Sequence, residues 1–146
     1  MTSAYRDLLF HGPRFECITE LHGIGPSGLL ASVRPSEPAA CLAQPLSESW
    51  VLDPILLDAG PQLAILWARE ILSMTALPSR FSNLRRFTRL DRVSLLKCHF
   101  QIDPGSRDHA IVANVYFVDQ HNRVVLSVEG LESTCSKALN RLAKSV

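Results

Sequence analysis

The sequence has too few cysteines, and too even a balance of charge, for several large protein classes. Its four cysteines are far apart and none forms a C-x-x-C pair, which argues against a disulfide scaffold and gives no zinc-ligand spacing. The 15 Lys and Arg residues nearly cancel the 14 Asp and Glu residues, so the formal net charge is +1. Nucleic-acid-binding proteins and polybasic membrane-binding proteins carry a clear basic excess. The charge therefore predicts no nucleic-acid partner and no membrane partner.

Long apolar runs are also lacking. The longest apolar stretches are shorter than a transmembrane helix, and the N-terminus has no basic-then-apolar signal peptide. We expect a cytoplasmic protein whose cysteines are mostly buried free thiols. The 146 residues, 47% of them hydrophobic, are enough for one domain with a hydrophobic core. We predict a single domain over residues 1–146, in which 135–146 form a C-terminal tail or a short helix.

The N-terminal part has the pattern of a β-hairpin. Residues 15–21 alternate in polarity, residues 22–28 hold three glycines and a proline, and residues 29–33 form a short apolar run. This order predicts two strands joined by a longer loop. Residues 23–28 match G-x-G-x-x-G literally, but a dinucleotide site needs a helix after the glycines. Because a strand follows here, the glycines are interpreted as the hairpin turn.

A proline-rich loop at residues 34–49 separates this hairpin from the longest helical signal, residues 52–75. Apolar side chains occupy nearly all faces of that segment, which predicts a helix buried on most sides. Proline is best tolerated in the first turn of a helix. Pro61 therefore predicts that the regular helix begins near Asp58 or Ala59, with Asp58 as N-cap, and that it runs to about Met74.

Four further strands are predicted after Pro78, at residues 81–87, 93–102, 110–118 and 124–132. Turns rich in Asp, Pro, Gly and Asn separate the last three. A helix too apolar for solvent must be covered by the strands. The predicted fold class is therefore α+β, a single hot-dog fold in which a curled antiparallel sheet surrounds one central apolar helix. Its open sheet edges favour side-by-side pairing of two such units.

Asp58 is the most unusual residue of the central helix, because a carboxylate here lies between Leu57 and Ala59. Burial raises the pKa of a carboxyl group, whereas the N-terminus of a helix favours its charged form. A carboxyl group between these opposing effects is suited to acid–base chemistry. A simple N-cap is the alternative interpretation.

Two segments resemble the C-terminal half of a polyketide synthase dehydratase domain, which is a double hot dog. His11-Gly12-Pro13-Arg14-Phe15 resembles that half's Y-G-P-x-F motif, and residues 54–62, PILLDAGPQ, resemble its P-x-L-L-D-x-x-x-Q/H motif. The L-F-H-G-P form and residues 123–132 are most similar to iterative synthases of the enediyne and polyunsaturated-fatty-acid type. The resemblance extends from about residue 5 to residue 134.

The resemblance implies roles for particular residues. Asp58 would be the catalytic acid that protonates the departing 3-hydroxyl of a 3-hydroxyacyl thioester, and Gln62, one helical turn on, would hold its carboxyl group. His11 is included with them as a catalytic candidate. The residues implied in substrate binding are Gly12, Pro13, Phe15 and Leu57. Elimination of water β to a thioester needs only an acid and a base, so no cofactor and no metal are expected.

The chain also departs from the family pattern. The family's other catalytic residue is a His in an H-x-x-x-G-x-x-x-x-P motif of the N-terminal hot dog, and none of the five histidines here has Gly four residues later. The group that removes the α-proton is therefore expected to be missing. His11 stands where the family often has Tyr, and it is the histidine that could substitute for the missing base.

We therefore expect a dehydratase-like hot dog of polyketide or fatty-acid synthesis, acting on acyl chains carried by an acyl carrier protein. It would form a homodimer or pair with a second hot-dog domain. Two alternatives remain open. One is a non-catalytic acyl-binding or dimerisation module, which would show no turnover. The other is a hot-dog thioesterase in which Asp58 activates water, which would release a free acid instead of an alkene.

Overall fold

The computed structural model describes residues 1–45, 47–89, 95–107 and 109–144. Its helices are α1 (Thr2–Asp7), α2 (Pro38–Cys41) and α3 (Pro54–Leu72), with 3-10 segments at Pro13–Phe15 and Lys137–Lys144. Its strands are β1 (Ile18–Gly25), β2 (Gly28–Val33), β3 (Thr75–Arg80), β4 (Asn83–Arg86), β5 (Leu96–Ile102), β6 (Ala110–Val118) and β7 (Val124–Ser136).

The strands form one antiparallel sheet in the order β1-β2-β5-β6-β7-β3, and β4 also pairs with β7. The sheet curls around α3, which buries eleven of its nineteen residues in the core. Burial on most sides is what the apolar residues on nearly all helix faces predict. The predicted hot-dog fold, a curled antiparallel sheet around one central helix, is thereby confirmed.

The central helix begins earlier than the sequence predicts, and the assignment of Asp58 as N-cap is wrong. Asp53 is the N-cap of α3, and its carboxyl group accepts hydrogen bonds from the amides of Ile55 and Leu56 at 2.9 and 3.1 Å. Pro61 consequently lies inside the helix, where it removes one backbone hydrogen bond at a cost of about 3 kcal/mol. The burial of the surrounding apolar side chains outweighs this loss, which the local rule for proline does not take into account.

The first hairpin is tighter than predicted. Phe15 belongs to a 3-10 turn, with its amide donating to the Gly12 carbonyl at 2.8 Å, so β1 starts only at Ile18. The strand then continues to Gly25 through residues that the sequence assigned to the loop. The connecting turn is residues 26–27, and Gly28 follows with φ of 141°. The glycines therefore make a hairpin, as interpreted, although four of the predicted loop residues, 22–25, belong to β1 and a fifth, Gly28, begins β2.

The later strands agree with the prediction in part. β6 has the predicted bounds, whereas β7 continues four residues further and pairs there with β3, which was not predicted. Pro78 argues against a strand at residues 75–80 when the sequence is considered alone. The structure shows that β3 is the last strand of the sheet order, and edge strands tolerate proline. α3 ends at Leu72 because Ser73 takes the left-handed conformation, two residues before the predicted end. Residues 93 and 94 of the predicted strand 93–102 lie outside the described residues.

The state of the cysteines and the length of the helices bear on what the composition predicts. All four cysteines are free, and Cys17, Cys98 and Cys135 are buried, which agrees with the predicted thiols. Within the described ranges, no helix combines the length and the apolar character needed to cross a membrane.

Candidate active site

Asp58 lies in the second turn of α3, at the wall of a cavity of about 440 Å³. The cavity is open to solvent and lies between α3 on one side and residues of β3, β4 and β7 on the other. Its wall is mainly apolar, with Phe15, Leu57, Val128 and Leu131 among the lining side chains. An apolar cavity with a carboxyl group on its wall is suited to a ligand that joins a hydrocarbon chain to a polar group.

The Asp58 carboxyl group is held through one of its two oxygens. The Gln62 amide nitrogen donates to Oδ2 at 2.9 Å, and His11 Nε2 lies 3.2 Å from the same oxygen. The other oxygen, Oδ1, has no hydrogen-bond partner among the described residues. The Asp58 side chain is 27% exposed, so it is neither fully buried nor fully solvated. Oδ1 is therefore the oxygen of this cavity-lining carboxyl group that no donor among the described residues occupies.

The surroundings of Asp58 lower its pKa. Burial is the largest single influence and raises the pKa, but hydrogen bonds from His11 and Gln62, together with the charge of His11, outweigh it. The sequence predicts that the helix N-terminus lowers the pKa of Asp58, but the structure places that N-terminus at Asp53. Asp58 is therefore ionised at neutral pH, and it must take up a proton before it can act as an acid.

Gln62 is completely buried and satisfies three hydrogen bonds. Its amide nitrogen donates to Asp58 and also, at 2.8 Å, to the Phe15 carbonyl. Its carbonyl Oε1 accepts from the Tyr5 hydroxyl at 2.7 Å. The spacing of four residues on α3 places Gln62 beside Asp58, and the contacts from outside the helix fix its rotamer.

His11 contacts the Asp58 carboxyl group but is not among the residues that line the cavity. Its ring stacks on Phe10, with centroids 4.7 Å apart and planes inclined by 19°. Its Nδ1 is buried and has no hydrogen-bond partner within the described part of the chain. His11 is therefore placed to influence the charge of Asp58.

The four residues implied in substrate binding separate into two pairs. Phe15 and Leu57 line the cavity, whereas Gly12 and Pro13 are exposed and are not part of its wall. Gly12 and Pro13 instead form the 3-10 turn that carries Phe15, in which the Gly12 carbonyl accepts from the Phe15 amide. Gly12 and Pro13 thus position a residue of the cavity wall but do not line the cavity themselves.

Sequence reasoning missed Tyr5, whose hydroxyl contacts Gln62 across 57 positions of sequence. No motif marks this tyrosine, and only its apolar neighbourhood at the N-terminus could have suggested burial. Two further histidines, His22 and His99, border a separate shallow concavity between β1, β2 and β5. In the described ranges, no group of three or more His, Cys, Asp or Glu side chains is arranged to hold a metal ion.

Comparisons with known proteins agree on one family. A family model described as "PS-DH: Polyketide synthase dehydratase N-terminal domain" matches residues 2–143. Among solved structures, the dehydratase domain from the CurJ module of curacin polyketide synthase has a TM-score of 0.71 at 18% identity, over 97% of this chain and 49% of that one. The corresponding CurF domain gives 0.67 at 22% identity, over 92% and 46%.

A third solved structure is the dehydratase domain of PpsC from Mycobacterium tuberculosis in complex with C12:1-CoA, with a TM-score of 0.63 at 20% identity, over 86% of this chain and 46% of that one. This chain thus spans about half the length of each of these three structures. At these identities the likeness shows the fold. A comparison with curated protein sequences finds no match.

Proposed function

The chain belongs to the polyketide synthase dehydratase family, and from this premise we propose that it supplies the Asp58 half of a site that dehydrates 3-hydroxyacyl thioesters. The matching family model is described as an N-terminal domain. We nevertheless propose equivalence to the C-terminal hot dog, because the chain has the D-x-x-x-Q motif of that half and lacks H-x-x-x-G-x-x-x-x-P. The L-F-H-G-P form supports an iterative synthase.

The observation that carries this proposal is the position of Asp58. Its carboxyl group borders an apolar cavity, it is oriented through Oδ2 by His11 and Gln62, and its Oδ1 is available to a ligand. The hydrocarbon part of an acyl chain would lie against Phe15 and Leu57. The 3-hydroxyl would then meet Oδ1 at the polar end of the cavity.

In the proposed reaction, a base removes a proton from C2, the bond between C3 and the hydroxyl oxygen breaks, and Asp58 donates the proton that converts this oxygen to water. The product is the conjugated enoyl thioester. An entering acyl chain displaces water from the Asp58 carboxyl group, and this desolvation raises its pKa toward the protonated form. Proton uptake on substrate binding thus converts the ionised carboxylate into the required acid.

The base is proposed to come from a second hot dog. His11 contacts the Asp58 carboxyl group but does not line the cavity, so its proposed role is to hold that group and to lower its pKa. Gly12 and Pro13 contribute by fixing the turn that places Phe15 at the cavity. The substrate is proposed to arrive on an acyl carrier protein, in the cytoplasm, and the second hot dog is either a second copy or another domain.

A second candidate, a non-catalytic acyl-binding module, is favoured by one observation. Among the described residues that line the cavity, Asp58 is accompanied by no histidine and by no second carboxylate that could act as base. Such a module would bind 3-hydroxyacyl chains without converting them.

The test is to incubate the purified chain with 3-hydroxyacyl thioesters and to follow the absorbance of the conjugated enoyl product. One positioned acid or base contributes about 10²–10⁴-fold, so we expect weak turnover that Asp58→Asn abolishes and that the exposed control Asp7→Asn leaves unchanged. Robust turnover that disappears in both Asp58→Asn and His11→Ala would refute the half-site proposal. Binding of the thioester without any turnover would favour the second candidate.

A further inference from the structure

Tyr5 connects the N-terminal helix to the candidate active site. It lies in α1, its side chain is only 7% exposed, and its hydroxyl donates to Gln62 Oε1 at 2.7 Å. The same hydroxyl oxygen accepts the backbone amide of Ile18 at 2.9 Å, where β1 begins. The hydroxyl of Tyr5 therefore connects α1 by hydrogen bonds to β1 and to the helix that carries Asp58.

The donors and acceptors in this network have one consistent direction. The Ile18 amide can only donate, so the Tyr5 oxygen accepts from it and directs its own proton to Gln62 Oε1. The Gln62 amide is then oriented with its NH₂ group toward the Phe15 carbonyl and Asp58 Oδ2. Each proton of that NH₂ group has an acceptor. A chain of hydrogen bonds with one direction strengthens its members by mutual polarisation.

Resting on the function proposed above, we propose that Tyr5 is a positioning residue for the Asp58 carboxyl group and acts on it through the side-chain amide of Gln62. Tyr5 does not touch the cavity, and its effect is transmitted by holding the acceptor end of the amide. With the hydroxyl in place, Gln62 donates a polarised N–H to Oδ2. Without it, the amide loses its buried donor, and the carboxylate loses part of its stabilisation.

Two other titratable groups near Asp58, the Tyr5 phenol and the Cys17 thiol, do not interfere with a titration of its carboxyl group in the acidic range. Burial raises the pKa of the Tyr5 phenol well above its ordinary value, and burial, with a smaller contribution from the charge of Asp58, raises the pKa of the Cys17 thiol to about 12. Both groups keep their protons throughout the acidic range.

The experiment is a titration of the Asp58 carboxyl carbon by NMR, with the signal assigned by its disappearance in Asp58→Asn. In Tyr5→Phe, we expect the titration midpoint of Asp58 to move upward, because a hydrogen bond to the charged form is weakened while burial remains. The matched control is Tyr116→Phe, which removes the same atom from the other tyrosine, on β6, and should leave the midpoint unchanged.

A double-mutant cycle separates transmission through Gln62 from a general structural effect. In a Gln62→Met background, Tyr5→Phe should produce no further change in the Asp58 midpoint, because the connecting amide is already gone. An equal shift in both backgrounds, or no shift in the folded Tyr5→Phe variant, would overturn the proposal.

A second variant decides the matter if Tyr5→Phe does not fold. In the Tyr116→Phe chain, Tyr5 is the remaining tyrosine, so biosynthetic replacement by 3-fluorotyrosine modifies this site alone. A more acidic phenol is a stronger donor, and the Asp58 midpoint should move downward, opposite to Tyr5→Phe. An unchanged midpoint would refute the coupling. Because this measurement involves no turnover, it can succeed or fail independently of the proposed dehydration.

Discussion

At the scale of single residues, the state of Asp58 is set by two opposing effects. Partial burial disfavours its charge, and two donors on Oδ2 favour it, with the donors prevailing. This balance is sensitive to what fills the cavity, because Asp58 lines the cavity and its side chain is partly exposed. In the proposed reaction, the carboxyl group would take up its proton when an acyl chain displaces water from it.

We predict that His11→Phe raises the pKa of Asp58, because the substitution keeps an aromatic ring beside Phe10 but removes the donor to Oδ2. A lowered pKa stabilises the fold above the unfolded value of about 3.9, and this contribution is lost as pH falls through the lower folded value. His11→Phe should therefore be less stable than wild type at pH 7 and should lose less stability on acidification. Urea unfolding between pH 3 and pH 7 measures both effects. A parallel pH dependence in the two proteins would contradict the prediction.

At the scale of elements, α3 and the first hairpin each depend on a single residue. Asp53 ends the proline-rich loop and begins the helix, since it accepts from Ser36 as well as from the amides of the first helical turn. Gly28 closes the hairpin in a conformation that side chains rarely adopt. Asp53 acts through the hydrogen bonds of its carboxyl group, whereas Gly28 acts through its backbone conformation.

We predict that Asp53→Ala destabilises the protein by about 1–2 kcal/mol, since a helix N-cap is lost and the half-buried hydroxyl of Ser36 loses an acceptor. The exposed Asp7→Ala is the matched control and should change the free energy of unfolding by less than about 0.5 kcal/mol. Denaturant unfolding followed by circular dichroism compares the two. Equal effects would show that Asp53 does not cap α3.

We predict that Gly28→Ala is strongly destabilising, by at least about 1–3 kcal/mol, because a Cβ there would lie 2.0 Å from the Phe100 carbonyl oxygen at an unfavourable φ. Gly25→Ala, at the other end of the same turn, meets nothing within 4 Å and should stay within about 0.5 kcal/mol of wild type. Thermal unfolding of both variants is the measurement. A tolerated alanine at position 28 would refute the close packing of β2 on β5.

At the scale of the whole molecule, the chain is a single hot dog whose solved relatives extend to about twice its matched length. The sheet has open edges, and large apolar side chains such as Phe15, Phe81 and Phe87 are between 40% and 58% exposed. Exposed aromatic groups near the cavity favour a covering surface. The proposed site also needs a base from outside the chain. A second hot dog would therefore both cover the exposed aromatic groups and supply the base.

We predict that the isolated chain forms a homodimer that buries roughly 1,200–2,000 Å² in total, the size of a specific protein interface. Multi-angle light scattering over a dilution series measures the mass directly, against a chain mass of 16.2 kDa. A purely monomeric protein at micromolar concentration would count against this prediction and would leave pairing with a different hot dog as the remaining proposal.

The sequence by itself determined the fold class and the identity of the central helix. Apolar residues on all faces of one long segment, between two groups of strands, leave few arrangements other than a sheet curled around it, and short motifs drew attention to Asp58, Gln62 and His11. Asp53 followed by Pro54 is a local signal for the start of α3, whereas only the tertiary structure decided that the helix continues through Pro61, because the burial that tolerates this proline comes from packing. The same holds for β3, which depends on pairing with β7, and for Tyr5, whose hydroxyl reaches Gln62 across 57 positions. Hydrogen bonds between distant segments leave no periodic pattern in a sequence, so the orientation and charge of Asp58 emerge only when the chain is folded.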